Sequence, residues 1–317
     1  MQLLILRDYK KRIRFIRRRV KISYMEWLIK ALYLCGGAMT MSLQNIYKKA
    51  YKNNALFFFS LCTSLFAFAV FIFASGFKFS FEKGIVLYAL LFGVLFSVCT
   101  ITLTLAINVG NLALSGLIIS FSLILPTLYG IFFLNNPVSA PFFIGLFLLA
   151  VSLFFVNLGG KKVKKKTEHA GGKKTNAKWL VLILVAAICN GACSIVQTAF
   201  QTAYDYNYKS EFMIVALAFS CIVLFLASII AERGKIRQSV GQAFVFGGAS
   251  GIMSGLLNLF VMLSISIMPA AVVFPVIAGG SLIPTFFIAV VFFKEKYSVL
   301  QWVGYATGLI SVVLLNL

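Results

Sequence analysis

Residues 35–51 read CGGAMTMSLQNIYKKAY and residues 189–204 read CNGACSIVQTAFQTAY. Each line has a cysteine, a Gly-Ala pair, a glutamine and a closing Ala-Tyr, and one residue of slack in the middle aligns them. A chain that writes one line twice predicts one structural unit built twice. The echo continues in order along the chain. Gly93 and Ser97 correspond to Gly251 and Gly255, and Pro126-Thr127 to Pro284-Thr285, both at an offset of 158. Ser139, Gly145, Asn157 and Leu158 correspond to Ser298, Gly304, Asn316 and Leu317 at an offset of 159.

Composition says what sort of unit this is. Of 317 residues, 61% are apolar and 12% charged, and the mean hydropathy of +0.97 far exceeds what the core of a water-soluble domain requires. Apolar runs of about 20 residues, the length of a bilayer-crossing helix, follow one another almost without interruption. Ten spans are expected, near 27–47, 54–75, 85–107, 111–133, 139–158, 178–201, 212–231, 243–266, 270–293 and 298–316. Residues 1–24 form a basic tail with nine Lys and Arg residues, unlike a cleaved signal peptide. The stretch KKVKKKTEHAGGKKTNAK (161–178) is too polar to pack. A lysine-rich linker at 159–177 then divides a first repeat, 25–158, from a second, 178–317, with five spans each. Because five is odd, the second unit enters the membrane from the opposite side. The expected fold is an all-α polytopic membrane protein of ten transmembrane helices in two inverted five-helix repeats.

The segment VVFFKEKYSVLQWVGYATGLISVVLLNL (290–317) resembles the closing hairpin of the drug/metabolite transporter superfamily, in its EamA-like branch. That hairpin is an apolar span, a short turn with Glu, and a Gly-containing final helix. GIFFLNNPVSAPFFIGLFLLAVSLFFVNL (130–158) has the same build, except that Asn136 stands where Glu295 stands in the second half. The resemblance covers 27–317. It implies a ten-helix carrier of small metabolites with its cavity between the halves.

Polar residues inside apolar spans mark where such a cavity is expected. Gly37, Thr40, Gln44 and Tyr47 share one face of the first span at helical spacing, and Asn190, Ser194, Gln197 and Gln201 share one face of the sixth. An amide is costly in hydrocarbon, so these residues turn inward, either to line a cavity or to bond between helices. Depth adds Ser97, Thr100, Ser122, Asn258 and Ser281 as further substrate-binding candidates, although a buried Ser or Thr often just bonds the carbonyl four residues back. Gly37, Gly247, Gly251, Gly255, Gly304 and Gly308 are candidate helix-packing or hinge positions, since small residues let helix backbones approach. Pro275 and Pro284, with Pro126, permit kinks within spans.

Other chemistry is excluded by absence. All eight acidic residues fall in tails, loops or span ends, and the one histidine, His169, lies in the linker. No span carries the carboxylate or imidazole relay of a proton-coupled carrier. No G-x-x-x-x-G-K-[ST] loop supplies ATP binding, and no cluster of Asp, His, Ser or Cys has catalytic spacing, so an enzyme is not expected. The six cysteines lie inside spans and behave as small apolar residues. No metal or cofactor is expected.

The net charge of +21 sits in juxtamembrane segments, where anionic lipid, not nucleic acid, is the partner of the tail and linker. Loops after odd-numbered spans carry most of the Lys and Arg, which places the linker in the cytoplasm. The basic tail argues the opposite. Two arrangements reconcile them: translation beginning at Met25, or an N-terminus held inside with the lysine-rich linker exported, as the family resemblance implies.

The expectation is a multi-pass protein of a bacterial plasma membrane, monomeric or homodimeric. It would move a small organic metabolite by alternating access. Few fixed charges near the polar stripes suggest a neutral or zwitterionic solute, such as an amino acid or a related compound. Alternatives are a flippase-like translocase of a lipid-linked substrate and a non-transporting membrane scaffold.

Overall fold

The computed structural model describes residues 28–37, 39, 40, 43, 47, 51, 55–77, 79, 80, 82–109, 118, 119, 122–136, 140–167, 177–280 and 298–314. Among the described residues there are nine helices and no strand. They are α1 (Leu28–Gly37), α2 (Leu56–Ala74), α3 (Lys83–Val109), α4 (Ile124–Phe132), α5 (Ala140–Thr167), α6 (Ala177–Ala203), α7 (Lys209–Ile265), α8 (Ala270–Gly280) and α9 (Val299–Leu314). Helices follow from the composition: with no water to bond exposed amides, an apolar segment satisfies its backbone internally. Four of them, α2, α3, α6 and α7, are long and apolar enough to cross a membrane. At about 1.5 Å per residue, α2 alone measures about 28 Å, close to the ~30 Å hydrocarbon layer. The tail, Gln44, Ser281, Pro284 and residues 168–176 lie outside the described residues.

Helix α7 is 57 residues long, and its contacts require it to turn back on itself. Phe212 and Asn258 would stand about 70 Å apart in a straight helix. Instead a short chain of contacts joins them. Gln197 Nε2 lies 3.5 Å from the Asn258 carbonyl oxygen, Cys193 Sγ lies 3.8 Å from the Phe92 carbonyl oxygen, and the Phe92 and Phe212 rings are 5.5 Å apart. Met213, Leu217 and Met262 pack in one apolar cluster. The corner falls between Glu232, which reaches the start of α2, and Ala243, which packs on Phe59 and Cys62 of α2. The sequence reading breaks the chain between 231 and 243, whereas helical backbone persists through the bend. Its residues, AERGKIRQ, are mostly good helix formers, with Arg233, Lys235 and Arg237 exposed and Glu232 and Ser239 turned inward. Helix α5 likewise continues through the beginning of the expected linker to Thr167.

Both limbs of α7 cross another helix in the same way. A Cβ on Gly93 of α3 would lie 2.7 Å from the Ala216 carbonyl oxygen and 3.1 Å from the Phe219 ring. One on Gly251, in the second limb, would meet the Thr63 carbonyl oxygen and, at 2.7 Å, Phe66 Cβ of α2. In each case a glycine sits on a carbonyl and on a phenylalanine one turn further along. The glycines are equivalent at the offset of 158, and Thr63 and Phe66 fall 153 positions before Ala216 and Phe219. Around these crossings α3 also packs on α6, α4 on α8, and α5 along α9. Ser152 of α5 donates to the Gly304 carbonyl at 2.6 Å.

Candidate functional site

Asn190 occupies the middle of α6 and reaches out of its own helix. Its Nδ2 donates to Ser122 Oγ at 2.6 Å, and Ser122 donates onward to the Ile119 carbonyl at 2.6 Å. Gly191 permits this approach, since a Cβ there would lie 2.8 Å from the Ser122 carbonyl oxygen and 2.5 Å from Leu125 Cδ1. Two turns along α6, the Gln197 amide approaches the Asn258 carbonyl oxygen at 3.5 Å. The Asn258 side chain donates to the Ser254 carbonyl at 2.9 Å. Four of the expected binding residues, Ser122, Asn190, Gln197 and Asn258, thus form one polar seam joining α6 to residues of both halves.

The others divide. Ser194 donates to the Asn190 carbonyl at 3.3 Å, and Thr100 to the Phe96 carbonyl at 2.8 Å, the local bond that hydroxyls in buried helices make. Ser97 is buried and pairs with Ser220 of α7 at 3.0 Å, so it serves the crossing of α3 and α7 and not the seam. Tyr47 is half-buried in a helical turn, its carbonyl accepting the Tyr51 amide. Gln44, Ser281 and Pro284 lie outside the described residues. Gly37 faces Ile277 of α8 and Phe260 of α7, while Gly247 and Gly255 face Phe59, Cys62 and Val70 of α2. Gly308 accepts a bond from Ser311. Pro275 is buried inside α8, whose Ala271 amide is held by Asn136 Oδ1 at 3.3 Å.

Two features were not legible beforehand. Gln201, fully buried on the same stripe as Asn190, has no hydrogen-bond partner among the described residues for either end of its amide. Glu232, expected to be a charge at a span end, is 5% exposed. Its Oε1 accepts the Leu56 and Phe57 amides at 2.7 and 3.1 Å, and its Oε2 accepts Phe58 at 3.0 Å. Those are orphan donors at the start of α2, where a negative charge is also favoured by the helix dipole. A pairing across more than 170 positions leaves no local signal in the sequence.

Aromatic clusters close both ends of α2. At its start Tyr51 stacks on Phe59 with centroids 4.5 Å apart, flanked by Cys62, Ala243 and Phe246. Beyond its far end Tyr204 and Phe212 pack with Val215, Ile85 and Tyr88, and Phe200 bridges them at 5.0 and 4.3 Å. All five residues of the first set have their counterparts in the second, at offsets of 153 and 158. Among the described residues no three His, Cys, Asp or Glu groups are placed to hold a metal ion.

The described residues are all-helical in their regular structure, and the long apolar helices among them fit an integral membrane protein. No family model and no curated protein matches it. A solved structure described only as "Crystal structure of protein" superposes with a TM-score of 0.70 over 90% of this chain and 95% of its own, at 15% identity. That likeness establishes the shared fold and carries no function with it.

Proposed function

We propose that the protein is a secondary transporter of the drug/metabolite transporter kind, with ten membrane spans in two inverted repeats, and that it moves a small organic metabolite by alternating access. The observation that carries this reading is the doubled crossing. Gly93 on Ala216 and Phe219 and Gly251 on Thr63 and Phe66 are one contact written twice at matched sequence offsets, as a repeated five-helix unit would produce. Inverted repeats of this kind place their binding site at mid-depth, between the halves. The seam of Asn190, Ser122, Gln197 and Asn258 supports the reading, because its amide and hydroxyl groups carry no fixed charge. That chemistry suits a neutral or zwitterionic solute such as an amino acid.

A thermal-shift screen of the solubilised protein against amino acids, sugars, nucleosides and cationic drugs tests the reading. A ligand at about 100 times its Kd stabilises the folded state by about 2.7 kcal/mol. The expected result is a shift with one class that disappears in Asn190→Leu and Gln197→Leu while the fold of both variants persists. No shift across the panel, while a known carrier responds, would overturn it and leave a lipid-linked substrate or a scaffold role.

A further inference from the structure

The two aromatic closures match residue for residue, but their surroundings do not. At the Tyr51 end, the Glu232 carboxylate holds three consecutive amides at the start of α2. Tyr51 donates to the Ala55 carbonyl at 2.9 Å, and the buried Ser239 lies close enough to its phenol to act on it. Glu232 and Ser239 both belong to the corner of α7, so the network ties that corner to the first half of the chain. At the Tyr204 end the residue 153 positions before Glu232 is Phe79, which carries no carboxylate. The turn beside Tyr204 holds three non-glycine residues in the left-handed region, Asp205 at φ 47°, Tyr206 at 61° and Tyr208 at 56°. Such residues store strain that a rearrangement can release.

We propose that Glu232, with Tyr51 and Ser239, is a latch that keeps the Tyr51 end closed and makes the Tyr204 end the one that opens first. Hydrogen bonds to a carboxylate in a water-poor site are roughly twice as strong as neutral ones. The Tyr204 end has aromatic packing and a Lys209 bond to the Tyr206 carbonyl, with Glu211 in the first turn of α7, and among the described residues no carboxylate there holds consecutive amides. Burial, with the Glu232 charge adding to it, pushes the Tyr51 phenol above its ordinary value, so its hydroxyl remains a donor. The latch rests on the alternating-access reading but is read out by accessibility, while that reading stands or falls on the ligand screen.

Native cysteines supply the probes. Cys62 is buried beneath Tyr51 and Phe59, and Cys193 lies in the cluster of Phe200 and Phe212. In full-length protein in which Cys62 or Cys193 is the sole cysteine, the other five being replaced by alanine, reaction with a water-soluble maleimide is timed with and without Glu232→Gln. The latch predicts roughly tenfold faster labelling of Cys62, the factor that one lost charge-assisted hydrogen bond corresponds to, with Cys193 unchanged or slower. Tyr51→Phe and Ser239→Ala give smaller changes in the same direction, and they carry the test if Glu232→Gln does not fold. An unchanged Cys62 rate overturns the latch. So does a parallel rise at both cysteines, which would make Glu232 a cap that only holds the fold together.

Discussion

The crossing of α2 on the second limb of α7 and the crossing of α3 on the first limb share a geometry but differ in how they reach it. The second limb presents Gly247, Gly251 and Gly255 on successive turns, so the backbones stay close for the whole contact. The first crossing has one glycine, Gly93, and at the next turn two hydroxyls, Ser97 and Ser220, 3.0 Å apart. Van der Waals contact between bare backbones is spread out and has no fixed register; a buried hydroxyl pair is small in energy but sets one. The same contact is therefore made once by close approach and once by a pin.

Substitutions can break this contrast. The largest effect is expected at Gly251. Even a methyl would strike the Thr63 carbonyl oxygen, and Gly247 and Gly255 leave the limb no slack on either side. Gly251→Leu should cost about 3 kcal/mol or more, seen as loss of the monodisperse peak on gel filtration. With alanine the two crossings can be ranked: Gly251→Ala should lower the melting midpoint more than Gly93→Ala, because beyond the facing carbonyl a Cβ on Gly251 would meet Phe66 Cβ at 2.7 Å, whereas one on Gly93 would meet the Phe219 ring at 3.1 Å. The reverse order would mean that the pin, not the glycine run, is the tighter seam.

Smaller effects sharpen the comparison. A double-mutant cycle of Ser97→Ala and Ser220→Ala should give a coupling of about 0.6 kcal/mol, the size typical of hydroxyl pairs between membrane helices. A coupling of zero would remove the pin. At the other extreme, a Cβ on Gly234 at the corner would meet nothing within 4 Å. Gly234→Ala should therefore stabilise the helix by about 0.5–1 kcal/mol, read as a small rise in the melting midpoint.

The apolar lengths of α2, α3 and α6 were plain in the sequence, because twenty-odd apolar residues have one stable form without water. The limbs of α7 were equally legible, but its corner was not: charged residues that argue for a break also propagate a helix. The Asn190 stripe could be read from helical spacing, yet its partner Ser122 lies 68 positions away, and a lone serine in an apolar span does not announce what it bonds. Ser220 was missed for that reason. Glu232 was read only as a charge at a span end, and only the fold brings three unpaired amides to it. Gln201 lay on the predicted stripe, but its lack of a partner among the described residues is a property of the packed chain.

The bond from Ser152 to Gly304 also sets an order in time. Helix α9 is made roughly 150 residues after Ser152, on the order of ten to thirty seconds later at ~5–20 residues per second. For that interval α5 has no partner along the face that α9 later covers, and the Ser152 hydroxyl waits for an acceptor not yet synthesised. This seam is among the last of the described contacts to form, and a chain halted before Val299 would keep it open.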